Sequence, residues 1–347
     1  MKKTHLLIGL AISAVLIYFL VREIDGTAVL GAFRRVRFGW AAAAASLSLV
    51  ILFVRAVRWQ YLMGPIKRLG LGPLYSATII GFMANGLLPV RMGELVRAYV
   101  IGEKGGVSKS ASFGTIVVER IFDGFAVLLI LFLLAAFMPI PPGMEELGAK
   151  LRWVGGISFA ANIAVFSLLA LLVFQREWML GAMNRVLRPF PEGWREKAID
   201  LLASFADGLE IIRRGGRLAA VVAYSIGLWA LSIVPNYLMF FAFGIDLPFH
   251  AAAFLLVAMA FGVMIPSSPG FIGTYHAAVV AGLAFFSIPQ ELALSYAVLI
   301  HLAAFVPIIA AGFIFLGREG LTMSQITRVN GHTEQENEAG ATSKTIP

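Results

Sequence analysis

Asn85-Gly-Leu-Leu-Pro89-Val-Arg91-Met-Gly93-Glu94-Leu-Val-Arg97 and Met264-Ile-Pro266-Ser-Ser-Pro269-Gly270-Phe-Ile-Gly273-Thr-Tyr-His276 are the two stretches that decide this fold. Each follows an apolar run shorter than the roughly 20 residues that a helical crossing of a bilayer needs. Each carries the frame Pro-x-x-x-Gly. Proline and glycine interrupt helices, and an interrupted helix in hydrocarbon leaves backbone N–H and C=O groups unpaired. Such a break is tolerated only where protein or a water-filled cavity covers it. Two breaks in corresponding places of one chain mark the binding site of a transporter-like protein.

The composition sets the solvent. Of 347 residues, 59% are hydrophobic and 14% charged, and the mean hydropathy is +0.84. Soluble domains carry about 25% charged residues. With no cysteine, disulfides, thiolate metal sites and thiol chemistry are excluded. The net charge of +8 sits in loops between apolar runs, the pattern of positive-inside topology rather than of a nucleic-acid surface. No nucleic-acid partner, cofactor or metal is expected. The start, Met1-Lys-Lys before an apolar run ending in Tyr18-Phe-Leu-Val-Arg22, lacks a small-x-small cleavage site and reads as an uncleaved first span.

Clear spans are expected at 5–21, 38–54, 112–138, 153–174, 217–243 and 291–316. The pieces 74–89 with 91–104, and 250–265 with 271–287, read as hairpins. The expected fold is an all-α polytopic membrane protein. It has about six full transmembrane helices plus two re-entrant or broken helical hairpins in an inverted repeat. The repeat halves run over about 38–138 and 217–316, inside one domain, 1–320. A disordered polar cytoplasmic tail is expected at 321–347. Loop charge puts both termini in the cytoplasm, with Lys2, Lys3, Arg55, Arg58, Lys67, Arg68 and the basic 176–217 loop inside. The first hairpin then opens from the cytoplasm and the second from the other face. Loop 22–37, with four arginines yet outside, runs against this scheme. In the segment 176–216, Ile199, Leu202, Phe205, Leu209 and Ile212 recur at helical spacing. It reads as an interfacial amphipathic helix or a connector packed on the bundle.

Ionisable residues inside apolar segments cost roughly 2.5–3.5 kcal/mol each on insertion scales, so they pair or face a cavity. Glu119, Arg120 and Asp123 lie in span 112–138. Arg91, Glu94 and Arg97 recur every three residues past the first break, along one helical side. Two readings follow. One is an ion-pair network clamping the hairpin to the span. The other is a polar cavity whose arginines hold an anion, with the acids as counter-charges. Arginine's planar fork suits phosphate, and the N–H groups that begin new helices after Gly93 and Gly270 favour anions as well. Arg55, Arg58 and Trp59 read as an interfacial anchor or a lipid-phosphate contact. His276 and His301 read as proton carriers or packing residues, and Asn236 as the repair of a kink at Pro235. No phosphate loop, Gly-x-Ser-x-Gly or His-Glu-x-x-His appears, so no enzyme is expected.

Arg58-Trp59, the Asn85–Arg97 motif, Glu119-Arg120-Ile-Phe-Asp123 and Pro266-Ser-Ser-Pro269-Gly270-Phe-Ile-Gly273 together resemble the lysylphosphatidylglycerol-synthase transmembrane-region, or flippase-like, family. The resemblance covers residues from about 50 to 315. It implies an inner-membrane protein that moves lipids between leaflets or supports a lipid-modifying pathway. Against the pattern, no stretch of this sequence reads as the synthase domain, so aminoacyl transfer is not expected, and His276 stands where the family's second motif often has an acid. The expected function is a lipid translocase for an anionic phospholipid, polyprenyl phosphate or glycolipid. Its site residues are Asn85, Arg91, Glu94, Arg97, Glu119, Arg120, Asp123, Arg58, Ser267, Ser268, Gly270 and His276. A lipid with an anionic head group is the expected partner, beside a lipid-synthesis enzyme or a second copy of the chain. The alternatives are a membrane transferase using Glu119 or Asp123 as base, and a non-transporting subunit of a lipid-synthesis complex.

Overall fold

The structure, a computed structural model, describes residues 3–22, 24–88, 92–140, 143, 145–196, 199 and 215–327. Among them there is no strand. The helices are α1 (Lys3–Val21), α2 (Gly26–Arg34), α3 (Phe38–Met63), α4 (Leu71–Leu87), α5 (Gly93–Gly105), α6 (Lys109–Phe137), α7 (Glu145–Phe174) and α8 (Arg176–Val186). They continue with α9 (Gly215–Phe243), α10 (Phe249–Met264), α11 (Thr274–Ala284) and α12 (Gln290–Arg318), with a 3-10 turn at Pro269–Phe271.

Among the described residues α3, α6, α9 and α12 are long and apolar enough to cross a membrane. Helices α1 and α2 form a bent pair, 85° apart. Helix α7, at 30 residues, has the length of a crossing at about 1.5 Å per residue. The chain is a multi-pass membrane protein. Of the expected interfacial segment 176–216, the first part is helical over Arg176–Val186; residues 197–198 and 200–214 lie outside the described residues. The chain keeps its helical order into the stretch read as a disordered tail. Residues 323–327 are helical and Ile326 is buried; residues 328–347 lie outside the described residues.

Local sequence explains where the elements stop. Ser108 caps α6, its hydroxyl accepting from the Ala111 N–H at 3.4 Å. Gly106 ends α5 in the left-handed region, φ 56°. Pro235 and Pro307 sit inside α9 and α12, where each removes a helical N–H. The second break needs its glycines, since Gly270 has φ 73° and Gly273 φ 96°.

Both interrupted segments are antiparallel hairpins. In the first, Gly81 packs on Gly93 and Asn85 on Gly93 and Glu94. In the second, Gly262 packs on Thr274 and Ala278, and Gly282 on Leu255. Small residues at the crossings let the backbones approach.

Helices α3 to α6 and α9 to α12 are two copies of one plan. Helix α3 packs on α9; α4 packs on α12 and α10 on α6; α5 packs on α6 and α11 on α12. Exchanging the copies maps this set of neighbours onto itself. The copies are inverted, because α3 and α9 run antiparallel. Arg37 N–H donates to the Ala242 carbonyl at 2.9 Å near one end, Arg58 to the Ser225 hydroxyl at 2.8 Å near the other. The second break packs on the last turn of α4: a β-carbon on Gly270 would lie 3.3 Å from the Gly86 carbonyl oxygen.

Candidate functional site: a guanidinium–carboxylate cluster on a central cavity

The charged residues of α3, α5 and α6 converge. Asp123 lies 14 positions into α6, about 21 Å from its start. Its Oδ1 accepts from Arg58 Nη1 at 2.7 Å and Trp229 Nε1 at 2.9 Å. Its Oδ2 faces Arg55 Nη1 at 2.9 Å and Arg120 Nη2 at 3.0 Å. Two carboxylate oxygens offer about four lone-pair sites, so Asp123 is saturated. One turn earlier, Glu119 meets Arg58 Nη2 at 2.9 Å and both terminal nitrogens of Arg97, at 3.3 and 3.1 Å. Arg97 also lies over the Trp59 ring, 4.2 Å from its centroid, a cation–π contact. Trp59 is fixed in turn by donating Nε1 to Thr115 Oγ1 at 2.9 Å.

The two readings of the charges apply to different residues. Arg58, Arg97 and Glu119 are at most 1% exposed. They join α3, α5 and α6, and form the clamp. Arg120 is different: its side chain is 38% exposed and it lines a cavity. Its Nη2 holds Asp123 and Glu119. Its Nη1 stands 3.9 Å from Glu94, and its Nε has no hydrogen-bond partner.

That cavity, of about 520 Å³, lies between the two repeats. Arg120 and Asp123 form one part of its wall; Ser48 from α3 and Trp229, Ser232 and Asn236 from α9 add polar atoms. The rest is apolar, with Leu256, Met259 and Met264 of α10 beside Ile300 of α12. Pockets of this size with few placed polar groups hold small ligands or parts of larger ones.

The remaining expected residues divide as follows. Arg91 lies outside the described residues. Asn85 braces the first break: its Oδ1 accepts from the Gly93 N–H at 2.7 Å and its Nδ2 donates to Glu94 at 3.4 Å. Ser267 and Ser268 contact α1. A β-carbon on Gly9 would lie 2.7 Å from the Ser267 carbonyl oxygen, and Ser268 N–H donates to Ser13 Oγ at 2.9 Å. His276 stacks near His301, ring centroids 4.9 Å apart, and its Nδ1 accepts from the Gly273 N–H at 3.5 Å. Of Asn85, Ser267, Ser268 and His276, none lines the cavity.

One sequence expectation changes. Arg55, Arg58 and Trp59 are buried and paired inside the protein, so they are no interfacial anchor. At the breaks the chain itself supplies acceptors for some backbone donors: Asn85 for the Gly93 N–H, Ser13 for that of Ser268 and His276 for that of Gly273. Asn236 sits on the cavity wall, and the Tyr296 hydroxyl donates to its backbone carbonyl at 2.9 Å.

The sequence reading missed the contribution of α9. Ser225, Trp229, Ser232 and Asn236 stand at i, i+4, i+7 and i+11, which places them on one helical face. That spacing was the available signal.

Comparison with known proteins gives a consistent picture. The family described as lysylphosphatidylglycerol synthase TM region matches residues 6–312. A UPF0104 membrane protein of Methanothermobacter thermautotrophicus is 25% identical, over 80% of this chain and 85% of that protein. Another from the same organism is 24% identical, over 79% and 81%. Glycosyltransferase AglD of Haloferax volcanii is 22% identical over 86% of this chain, which spans 52% of that protein.

Proposed function

We infer the function from the premise that this chain belongs to the lysylphosphatidylglycerol synthase transmembrane-region family: it is a lipid translocase of the inner (cytoplasmic) membrane. The single observation carrying this reading is the cavity between the two inverted repeats, lined by α3, α6, α9, α12 and the second interrupted hairpin, apolar over most of its wall and bounded by the partly exposed guanidinium of Arg120. An anionic lipid head group enters beside Arg120 while its tails stay in the bilayer. Inverted repeats supply the symmetry by which one site opens to either face. Both termini lie in the cytoplasm, following the basic loops.

The transferase alternative gains little from the geometry. A general base needs a free lone pair within reach of its proton. Asp123 spends its lone pairs on four donors, and Glu119 is fully buried beneath four guanidinium groups. The name of AglD keeps the alternative worth testing. Purified protein reconstituted in liposomes separates the readings. Translocation predicts lipid appearing in the second leaflet with unchanged mass. A new lipid mass, or no redistribution above protein-free vesicles, would overturn it.

A further inference from the structure

We propose that the cavity selects a singly charged phosphodiester lipid with a hydroxyl-bearing head group and rejects head groups that carry an ammonium. The proposal rests on the translocase reading and names the substrate class of its site.

The first support is charge. Among the described residues the cluster sets four guanidinium groups, Arg55, Arg58, Arg97 and Arg120, against three carboxylates, Glu94, Glu119 and Asp123. One positive charge is left over, in a setting where net charge is costly. Arg120 carries it toward the cavity that it lines, since its side chain is 38% exposed and its Nη1 has Glu94 as a carboxylate neighbour only at 3.9 Å. A phosphodiester brings one negative charge and balances the cluster. A phosphomonoester brings more than one and overshoots.

The second support is the state of the acids. An ammonium head group needs a carboxylate with a free lone pair. Among the described residues Asp123 is the only acid on the cavity wall, and Arg55, Arg58, Arg120 and Trp229 consume its acceptor sites. A lysyl or ethanolamine amine would therefore face guanidinium without compensation.

The third support is the neutral polar edge. Ser232 Oγ donates to the Leu228 carbonyl at 2.8 Å, and Ser48 Oγ to Ala45 at 2.6 Å. Each hydroxyl has then used its proton and offers only acceptor sites to the cavity. Asn236 adds an amide on the same side. Neutral acceptors beside an anion site suit hydroxyl donors of a glycerol or a sugar.

Competitive lipid binding to the purified full-length protein, read by native mass spectrometry, tests this independently of transport. The probes are phosphatidylglycerol, phosphatidylmethanol, phosphatidate and lysyl-phosphatidylglycerol. Phosphatidylglycerol is expected to outcompete the lysyl lipid about tenfold or more, and to exceed phosphatidate and phosphatidylmethanol. Ser232→Ala with Asn236→Leu should erase its advantage over phosphatidylmethanol and keep that over the lysyl lipid. Equal or preferred binding of lysyl-phosphatidylglycerol overturns the charge assignment, as does equal binding of phosphatidate. Equal binding of phosphatidylmethanol to the unaltered protein overturns the hydroxyl assignment. Selective binding with no movement between leaflets would sink the translocase reading alone.

Discussion

Arg97 and Glu119 meet fork to fork, Nη1 3.3 Å from Oε1 and Nη2 3.1 Å from Oε2, with both side chains closed to solvent. This pair ties the re-entering arm of the first hairpin to the middle of α6. Removing one partner of a buried pair strands the other, which costs about 3–5 kcal/mol. Arg97→Ala is expected to lower the thermal midpoint sharply in detergent. Arg97→Lys should recover little, since an ammonium has no fork and stacks poorly on Trp59. An unchanged midpoint for Arg97→Ala would remove the clamp.

The close backbone approaches give a second test. A β-carbon on Gly93 would strike the Gly81 carbonyl oxygen and come within 2.5 Å of the Asn85 side chain. Gly93→Ala should push the arms of the first hairpin apart, at about 1–3 kcal/mol, and reduce the folded yield. Gly227, with nothing within 4 Å of its β-position, is the control. Gly227→Ala should leave the midpoint unchanged or slightly raised. The ratio of monodisperse to aggregated protein on size exclusion reads the difference.

The inversion of the repeats predicts sidedness. The chain has no cysteine, so single introduced thiols are labelled without background. Lys104, at the base of the first hairpin, and Asp246, before the second, are both exposed. Lys104→Cys should react with an impermeant maleimide only from the cytoplasmic face, and Asp246→Cys only from the opposite face. Labelling of both from one side contradicts the inverted topology.

Trp229 closes the fourth acceptor site of Asp123. Trp229→Phe keeps the aromatic volume and deletes that donor. The lost hydrogen bond to a charged group is worth about 1.5–3 kcal/mol, so a lower midpoint is expected. The freed lone pair should also raise binding of lysyl-phosphatidylglycerol relative to phosphatidylglycerol. No change in that ratio would detach Asp123 from head-group choice.

Much of this architecture was legible because its signals are local. Pro89, Gly93, Pro266 and Gly270 announce helix breaks from identity alone, and long apolar runs announce crossings. The i, i+4 spacing of Glu119 and Asp123 placed two acids on one face of α6. Partner choice was not legible in the same way. Arg58 sits near a helix end, where a snorkelling side chain and a buried one look alike in sequence. Only the approach of α6 and α9 decides that it turns inward. Arg97 was grouped with the ligand-binding arginines, because its stripe on α5 does not say which side meets Glu119. The place of Trp229 beside Asp123, and of Asn236 on the cavity wall rather than only at the Pro235 kink, was hidden for a simpler reason: both belong to the other repeat, more than a hundred residues from Asp123 in the chain.

The most direct test concerns Arg120, which faces the cavity while its neighbours serve the clamp. Leaflet-resolved lipid transport should be measured for the wild type and for Arg120→Ala, in vesicles carrying equal amounts of protein with matched thermal midpoints. The account predicts redistribution of an anionic lipid by the wild type and loss of most of it in the variant. Transport by a well-folded Arg120→Ala at the wild-type rate would contradict it.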